Sequence, residues 1–198
     1  MADYITHFLI GGIPAVLVFA CFRSYRKRAL DAQRLISGIW REAALHLFVV
    51  SLFGLAAMIL WPPYRWVDGN LLILNAREGL TDGVNWVPFR MILDYIAAFE
   101  TGSLFYAVVF LFGNVGTFFP LGFFPPLLFR GIRAKQIFLI GLGYSLGAEV
   151  LQFFLGRHCD VDDVILNVIG TLCGYGIYLL LKRLFPRFVK RFCCAEMK

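Results

Sequence analysis

Charged residues are scarce in this chain: they make up 16% of its 198 residues, whereas hydrophobic residues make up 60%. Ordinary soluble domains carry about 25% charged residues, and a mean hydropathy of +0.73 lies outside their range. The chain also lacks a serine- or glycine-rich linker or a charged low-complexity block that would separate two units. These absences predict a membrane protein with a single domain over residues 1–198.

The short motifs of well-known catalytic sites are missing as well. The sequence contains no glycine-rich phosphate loop, no serine nucleophile elbow and no His-Glu-x-x-His zinc signature. His158, Cys159 and Asp160 are adjacent, but three consecutive residues do not easily converge on one ion. We therefore expect neither a metal nor another cofactor.

Long apolar runs are what the sequence has instead. A helix needs about 20 apolar residues to cross a hydrocarbon core of roughly 30 Å, and five windows have that character. The predicted fold is an all-α polytopic membrane protein, a bundle of about five transmembrane helices. The predicted spans are residues 5–22, 43–62, 104–129, 136–155 and 163–182.

Positive charges are concentrated between alternate spans. Fifteen of the 19 lysines and arginines lie in residues 23–41, 130–135 and 182–198. Because basic segments resist translocation, these three are predicted to be cytoplasmic, which places the N-terminus outside and the C-terminus inside. A basic rim against anionic lipid headgroups accounts for the net charge of +6, so we expect the bilayer as a partner and no nucleic acid.

The longest segment between predicted spans is residues 63–103. Apolar residues at 71–74 and between 92 and 99 are too numerous for a freely solvated loop. They predict amphipathic pieces that lie on the outer leaflet or on the bundle. We therefore expect a structured external segment between the second and third helices.

The third predicted span contains Pro120, Pro125 and Pro126. Proline removes a backbone donor and clashes with the preceding turn, so we expect this helix to be bent or locally opened around residues 116–126. A membrane tolerates such an opening only where protein or water covers it. This span is therefore predicted to be central.

Glycines spaced by four residues occur in the last two spans. Gly143 and Gly147 share one face of the fourth span, and Gly170 and Gly174 share one face of the fifth. Small residues at this spacing let a neighbouring helix approach closely. Both pairs therefore predict tight packing among spans three to five.

Ionisable and amide side chains also recur within the spans. Such groups cost several kcal/mol in hydrocarbon unless they are paired or hydrated, so each is a candidate for function. Ser145, Glu149 and Gln152 share one stripe of the fourth span, and Asp163 and Asn167 share a stripe at the top of the fifth. Together they predict a polar pocket that opens outward. The predicted binding residues are Asn85, Arg90, Asn114, Glu149, Gln152, Arg157, Asp160, Asp163 and Asn167.

Structural roles stay open for several of these residues. Asn114 and Asn167 equally suit interhelical hydrogen bonds worth about 1 kcal/mol each. The aspartates at 160, 162 and 163 also suit a solvated turn with a helix N-cap, and for Asp162 we expect a side chain in solvent. A functional role is favoured for Glu149. If a reaction is catalysed, the candidate acids and bases are Glu149, Asp160 and Asp163.

Three blocks of sequence resemble the VanZ-like family of bacterial membrane proteins: "NWVPFR" (85–90), "GNVGTFFPLGFFPPLL" (113–128) and "SLGAEVLQFFLGRHCDVDDVILNVIGTLCGYG" (145–176). The resemblance implies a multi-pass protein of the bacterial plasma membrane, associated with resistance to teicoplanin and related lipoglycopeptide antibiotics. It implies no particular mechanism. The family's polar signature falls on Asn85, Phe89, Asn114, Pro120, Glu149, Gln152, Arg157, Asp160, Asp163, Asn167 and Gly170.

Three functions follow as hypotheses. The first is a pocket that binds an amphiphile, which is the lipoglycopeptide itself, a lipid or a lipid-linked cell-wall precursor. The second is a membrane-embedded hydrolase or transferase that modifies a lipid or wall precursor with Glu149, Asp160 and Asp163. The third, a lipid flippase or small transporter, ranks last because the inner halves of spans three to five carry no polar stripe. The oligomeric state is not predicted.

Overall fold

The computed structural model describes residues 2–60, 64–67, 70–73, 84–97, 104–155 and 159–196, which are mostly helical. Four helices in this part of the chain are long and apolar enough to cross a membrane, and each overlaps one of the predicted spans two to five. The expected helical membrane bundle is confirmed for these four, and α1 as a fifth span stays a prediction. The helices are α1 (Ala2–Cys21), α2 (Arg23–Ala32), α3 (Ile39–Leu60), α4 (Arg90–Ala97), α5 (Leu104–Leu128), α6 (Ala134–Phe154), α7 (Val161–Leu184) and α8 (Pro186–Val189), and the four candidate membrane helices are α3, α5, α6 and α7.

Short strands tie segments together near the ends of the helices. In the described residues they form three two-stranded pairs, of which only the last is parallel. Residues 71–73, predicted as an amphipathic piece, lie in one of these strands, whereas Leu74 and Phe99 lie outside the described residues. The pairs are β1 (Leu35–Ile36) with β6 (Ala195–Glu196), β2 (Tyr64–Val67) with β3 (Asn70–Ile73), and β4 (Val84–Asn85) with β5 (Cys159–Asp160).

Helix α5 lies at the centre of the bundle, as its prolines predict. It contacts α7 most extensively and also α3, α4 and α6. Of the predicted bend or local opening, the opening is wrong, because the helix continues without interruption through Pro120, Pro125 and Pro126, and the bend stays a prediction. A proline forfeits one hydrogen bond but keeps a helical φ, and contact with neighbouring helices on several sides compensates for that loss.

Backbone contact between α5 and α7 depends on glycine. A Cβ atom at Gly122 would lie 1.7 Å from the carbonyl oxygen of Thr171. On α7, a Cβ at Gly170 would lie 2.2 Å from the oxygen of Val115, and one at Gly174 would lie 2.2 Å from that of Phe119. Any larger residue would push the two helices apart. The packing role predicted for Gly170 and Gly174 is therefore confirmed.

The same prediction is wrong for Gly143 and Gly147, beside which a Cβ would meet no atom of the described residues within 4 Å. The glycine that faces α7 is Gly141, where a Cβ would lie 2.9 Å from the Cβ of Thr171. Gly141 shares its face of α6 with Ser145 and Glu149, at intervals of four residues, whereas Gly143 is turned about 200° away. The spacing of Gly143 and Gly147 shows that they share a face of α6, but the position of α7 determines which face of α6 is packed.

Opposite ends of the bundle differ in charge. At one end, strands β1 and β6 join the first and third basic segments, and Arg41 and Arg130 from the first and second line the same cavity. At the other end lie the α6–α7 turn, strands β4 and β5 and the start of α4. Most of the candidate polar residues are at this second end.

Candidate functional site

The turn between α6 and α7 brings Glu149 close to the start of α7. Glu149 is 4% exposed, and its Oε2 accepts a hydrogen bond from the backbone N–H of Asp160 at 3.0 Å. Asp160 is the N-cap of α7, with its Oδ1 accepting the N–H of Asp162 at 2.8 Å. Of the three aspartates for which the sequence left an N-cap role open, Asp160 is the one that fills it. Glu149 therefore holds the backbone at Asp160, and Asp160 caps the helix α7 that follows.

Asp160 also holds the segment that precedes α4. The side-chain Nδ2 of Asn85 donates to both of its carboxylate oxygens, at 3.2 and 3.0 Å, and the two residues are partners in the parallel β4–β5 pair. In turn, Asn85 Oδ1 accepts the N–H of Val87 at 3.2 Å. The structure thus brings Asn85, Asp160 and Glu149 together, although 75 residues separate Asn85 from Asp160.

Asp162 is the residue that the sequence reasoning placed wrongly. Its side chain is fully buried, not solvated, and it accepts three backbone N–H bonds from a different segment. Oδ1 accepts from Phe89 at 2.5 Å, and Oδ2 accepts from Met91 at 2.8 Å and from Ile92 at 3.2 Å. Asp162 therefore caps the N-terminus of α4 from another helix.

The reason lies in the sequence of α4. The first four N–H groups of a helix have no partner within it, and a Ser, Thr, Asp or Asn at the N-cap usually supplies one. Here the residue before Arg90 is Phe89, which has no acceptor in its side chain and adopts a left-handed backbone with φ of 66°. A helix that begins without a cap of its own needs an acceptor from elsewhere, and this signal was available in "WVPFR".

Deeper in the bundle, amides connect three helices. Asn114 Nδ2 on α5 donates to Asp163 Oδ1 on α7 at 3.0 Å. Asn167, one turn below Asp163, donates from Nδ2 to Ser145 Oγ on α6 at 3.0 Å. The expected juxtaposition of these stripes is confirmed, and α5 adds the third wall.

One buried acceptor in this row has no partner in the described residues. The Oδ1 atom of Asn167, a residue 4% exposed, accepts no hydrogen bond there. An unsatisfied buried amide oxygen costs about 1–3 kcal/mol, which a donor from a ligand or a water would offset. Of the two roles that the sequence left open for Asn167, its Nδ2 fills the interhelical one, and the binding role stays a prediction.

The surroundings of Cys159 raise the pKa of its thiol to about 11. The largest cause is burial, followed by a hydrogen bond with the Glu149 side chain and then by the charges of Glu149, Asp160 and Asp163. At physiological pH this thiol is therefore neutral and able to donate. Three carboxylates therefore lie close to one sulfur atom.

The remaining predicted site residues are less closely involved. Gln152 is half-buried on α6, one turn beyond Glu149, and Arg90 is exposed at the start of α4. Arg157 lies outside the described residues, as does His158. Within the described ranges, no group of three His, Cys, Asp or Glu side chains is arranged to hold a metal ion.

Comparison with known proteins bears on the whole of this region. The model of the VanZ/LLP1 family matches residues 48–182, which include α5, α6, all but the last two residues of α7, and the described polar cluster between Asn85 and Asn167. No curated protein and no solved structure matches the chain significantly. Because the family match covers well over half of the sequence, the chain belongs to the VanZ/LLP1 family.

Proposed function

We propose that this VanZ-like protein acts in the bacterial plasma membrane in resistance to teicoplanin and related lipoglycopeptides, and that its polar cluster binds the polar group of an amphiphile. The amphiphile is the drug, a lipid or a lipid-linked wall precursor. Family membership supports the first half of the proposal. The chemistry of the cluster supports the second.

The proposed topology has five spans, an outer N-terminus and a cytoplasmic C-terminus. Two observations support it. The described basic segments meet at one end of the bundle, where strands β1 and β6 pair, as cytoplasmic segments would. The polar cluster lies at the opposite end, together with β4 and α4 of residues 63–103, the external segment of this proposal.

The cluster favours a ligand that donates hydrogen bonds. Glu149, Asp160, Asp162 and Asp163 supply acceptors, and the described donors to them are backbone N–H groups, amides and a neutral thiol. Asn167 Oδ1 adds a buried acceptor without a partner in the described residues. Amine, amide or hydroxyl groups suit such a surface, because each can donate a hydrogen bond to an acceptor such as Asn167 Oδ1. Peptide- or sugar-bearing headgroups carry these groups.

Glu149 is the observation that carries the proposal. A carboxylate that is 4% exposed between membrane helices contributes little to packing that an apolar residue would not contribute better. The surrounding turn and Cys159 nevertheless hold it in one position. Preorganising an acid in this way is expected of a binding site rather than of a helix contact.

Drug susceptibility tests the proposal. In a teicoplanin-sensitive bacterium that expresses the protein, we expect Glu149→Gln and Asp163→Asn each to reduce the minimal inhibitory concentration to that of cells without it. Asp31→Asn, an exposed acid on α2 at the opposite end, is the matched control and should keep resistance. Immunoblots of the membrane fraction establish equal amounts of each variant. Full resistance in the Glu149 and Asp163 variants would contradict the proposal.

The catalytic hypothesis gains no support from the described contacts. Asp160, one of its three candidate groups, is used as a helix cap and as the partner of Asn85, which are structural tasks. Lipid and precursor profiles measured by mass spectrometry distinguish the two functions. An enzyme would change them in cells with active protein relative to the Glu149→Gln variant, whereas a binding protein would leave them alike.

A further inference from the structure

A cavity of about 610 Å³ lies at the basic end of the bundle, away from the polar cluster. Its walls come from the end of α2, the start of α3, the end of α5 and the C-terminal segment after α8. This volume falls within the roughly 300–1,000 Å³ of typical small-molecule sites. The residues that give it its chemistry are Gln33, Arg41, Leu128, Phe129, Arg130 and Cys193.

Arg41 is the unusual member of this lining. It is 8% exposed, and its Nε is buried without a hydrogen-bond partner in the described residues. Its Nη1 reaches Ser37 Oγ at 3.3 Å and lies 4.0 Å from Glu42 Oε1, which is the limit of an ion pair. A buried guanidinium with a free donor is costly unless an acceptor completes it.

Glu42 does not supply an acceptor for the Arg41 Nε, because both of its carboxylate oxygens already accept hydrogen bonds from other residues. Arg26 Nη2 donates to Oε2 at 2.9 Å, and Ser37 Oγ donates to Oε1 at 2.6 Å. Among the described residues that line the 610 Å³ cavity there is no aspartate or glutamate, whereas Arg130 adds a second guanidinium to it. The lining therefore carries a positive charge that the described side chains do not balance.

The walls of the cavity are otherwise apolar. Leu128 is buried at the end of α5, and Phe129 next to it is 47% exposed, so the apolar surface continues from the cavity toward the outside of the bundle. Two arginines at the base of an apolar wall suit a molecule with an anionic head and a hydrocarbon tail. The planar fork of arginine matches the oxygen atoms of a phosphate in two parallel hydrogen bonds.

We propose that this cavity binds a phosphate group, supplied by the headgroup of an anionic phospholipid, with Arg41 and Arg130 as its ligands. The site is separate from the polar cluster, so the proposed resistance function and this one succeed or fail independently. Under the topology proposed above it faces the inner leaflet. The bound lipid would join α3, α5 and the C-terminal segment at that end of the bundle.

Lipid binding to the purified full-length protein in an uncharged detergent tests this proposal. Native mass spectrometry with dioctanoyl phosphatidylglycerol, and with dioctanoyl phosphatidylcholine as the zwitterionic control, should show a preference for the anionic lipid. Arg41→Gln and Arg130→Gln should each weaken phosphatidylglycerol binding about tenfold or more, the effect expected for loss of a charge-assisted hydrogen bond. Arg187→Gln, an exposed arginine on α8 outside the cavity, is the matched control and should bind as the wild type does.

Arg130 is exposed, so its substitution tests the site without disturbing the fold. Equal binding of the two lipids, unchanged binding in Arg130→Gln, or equal losses in Arg130→Gln and Arg187→Gln would each overturn the proposal. A further arm adds inorganic phosphate. If phosphate alone raises the melting temperature through Arg130 while phosphatidylglycerol binds no better than phosphatidylcholine, the phosphate chemistry is supported and the lipid is overturned as its source.

Discussion

Replacing Asp162 with alanine should release α4 from the bundle. Asp162 is completely buried and accepts the backbone N–H groups of Phe89, Met91 and Ile92. Hydrogen bonds to a charged group contribute about 1.5–3 kcal/mol each. Their sum overstates the loss, because Phe89 and Arg90 are exposed and water can reach this turn once it opens. We therefore expect a local loss of about 2–4 kcal/mol.

Hydrogen–deuterium exchange measures this loss directly. A change of 1.36 kcal/mol is tenfold in an equilibrium constant, so protection of the peptide that covers residues 86–97 should fall roughly 30- to 1,000-fold. Asp162→Asn keeps one acceptor oxygen and should lie between the alanine variant and the wild type. Asp94→Asn, an exposed acid on the same helix, is the control and should leave protection unchanged.

Two results would refute this reasoning. Unchanged protection of residues 86–97 in Asp162→Ala would mean that α4 is held by its apolar contacts alone. An equal loss of protection in α5 and α7 would mean that Asp162 supports the whole bundle rather than one helix end. A loss confined to α4 is what the three N–H contacts predict.

Other consequences concern packing and titration. Gly122→Ala should lower the melting temperature in detergent strongly, because its Cβ would lie 1.7 Å from the oxygen of Thr171. Gly143→Ala should leave it unchanged, because its Cβ would have no atom of the described part of the chain within 4 Å. Equal melting temperatures of the two variants would contradict the close α5–α7 contact. Because the pKa of Cys159 is raised to about 11, its thiolate fraction at pH 8 is roughly 100-fold below that of an unperturbed thiol. The rate at which Cys159 is alkylated, measured by mass spectrometry of its peptide, should therefore rise steadily between pH 8 and 11. Glu149→Gln should lower that pKa partway and speed alkylation at pH 8, since burial, the largest cause, remains; a rate independent of pH would refute the shift.

The sequence predicted correctly those features that depend on a single helix, namely its position in the chain and the residues that share one of its faces. Hydropathy identified α3, α5, α6 and α7, and helical periodicity placed Glu149 with Ser145 and Asp163 with Asn167 on facing stripes. Both follow from the geometry of a single helix and the short turn between α6 and α7.

The same reasoning failed where the answer depends on a partner distant in sequence. Asp162 resembles any solvated acid in a first helical turn until α4, some 70 residues earlier, is seen to lack its own cap. Gly143 and Gly147 have the spacing of a packing motif, yet the packed face of α6 is that of Gly141. Local pattern cannot supply either fact, because both depend on which element lies opposite.

The central claim, that the polar cluster is a binding site, is tested most directly by cryo-electron microscopy of the protein in bacterial lipid, with and without teicoplanin. We predict density for a bound polar group beside Glu149, Asp163 and Asn167, with a donor near the Oδ1 atom of Asn167, in the wild type and not in Glu149→Gln. A well-resolved cluster in which only protein side chains and water fill this space, with the drug present or absent, would contradict the account.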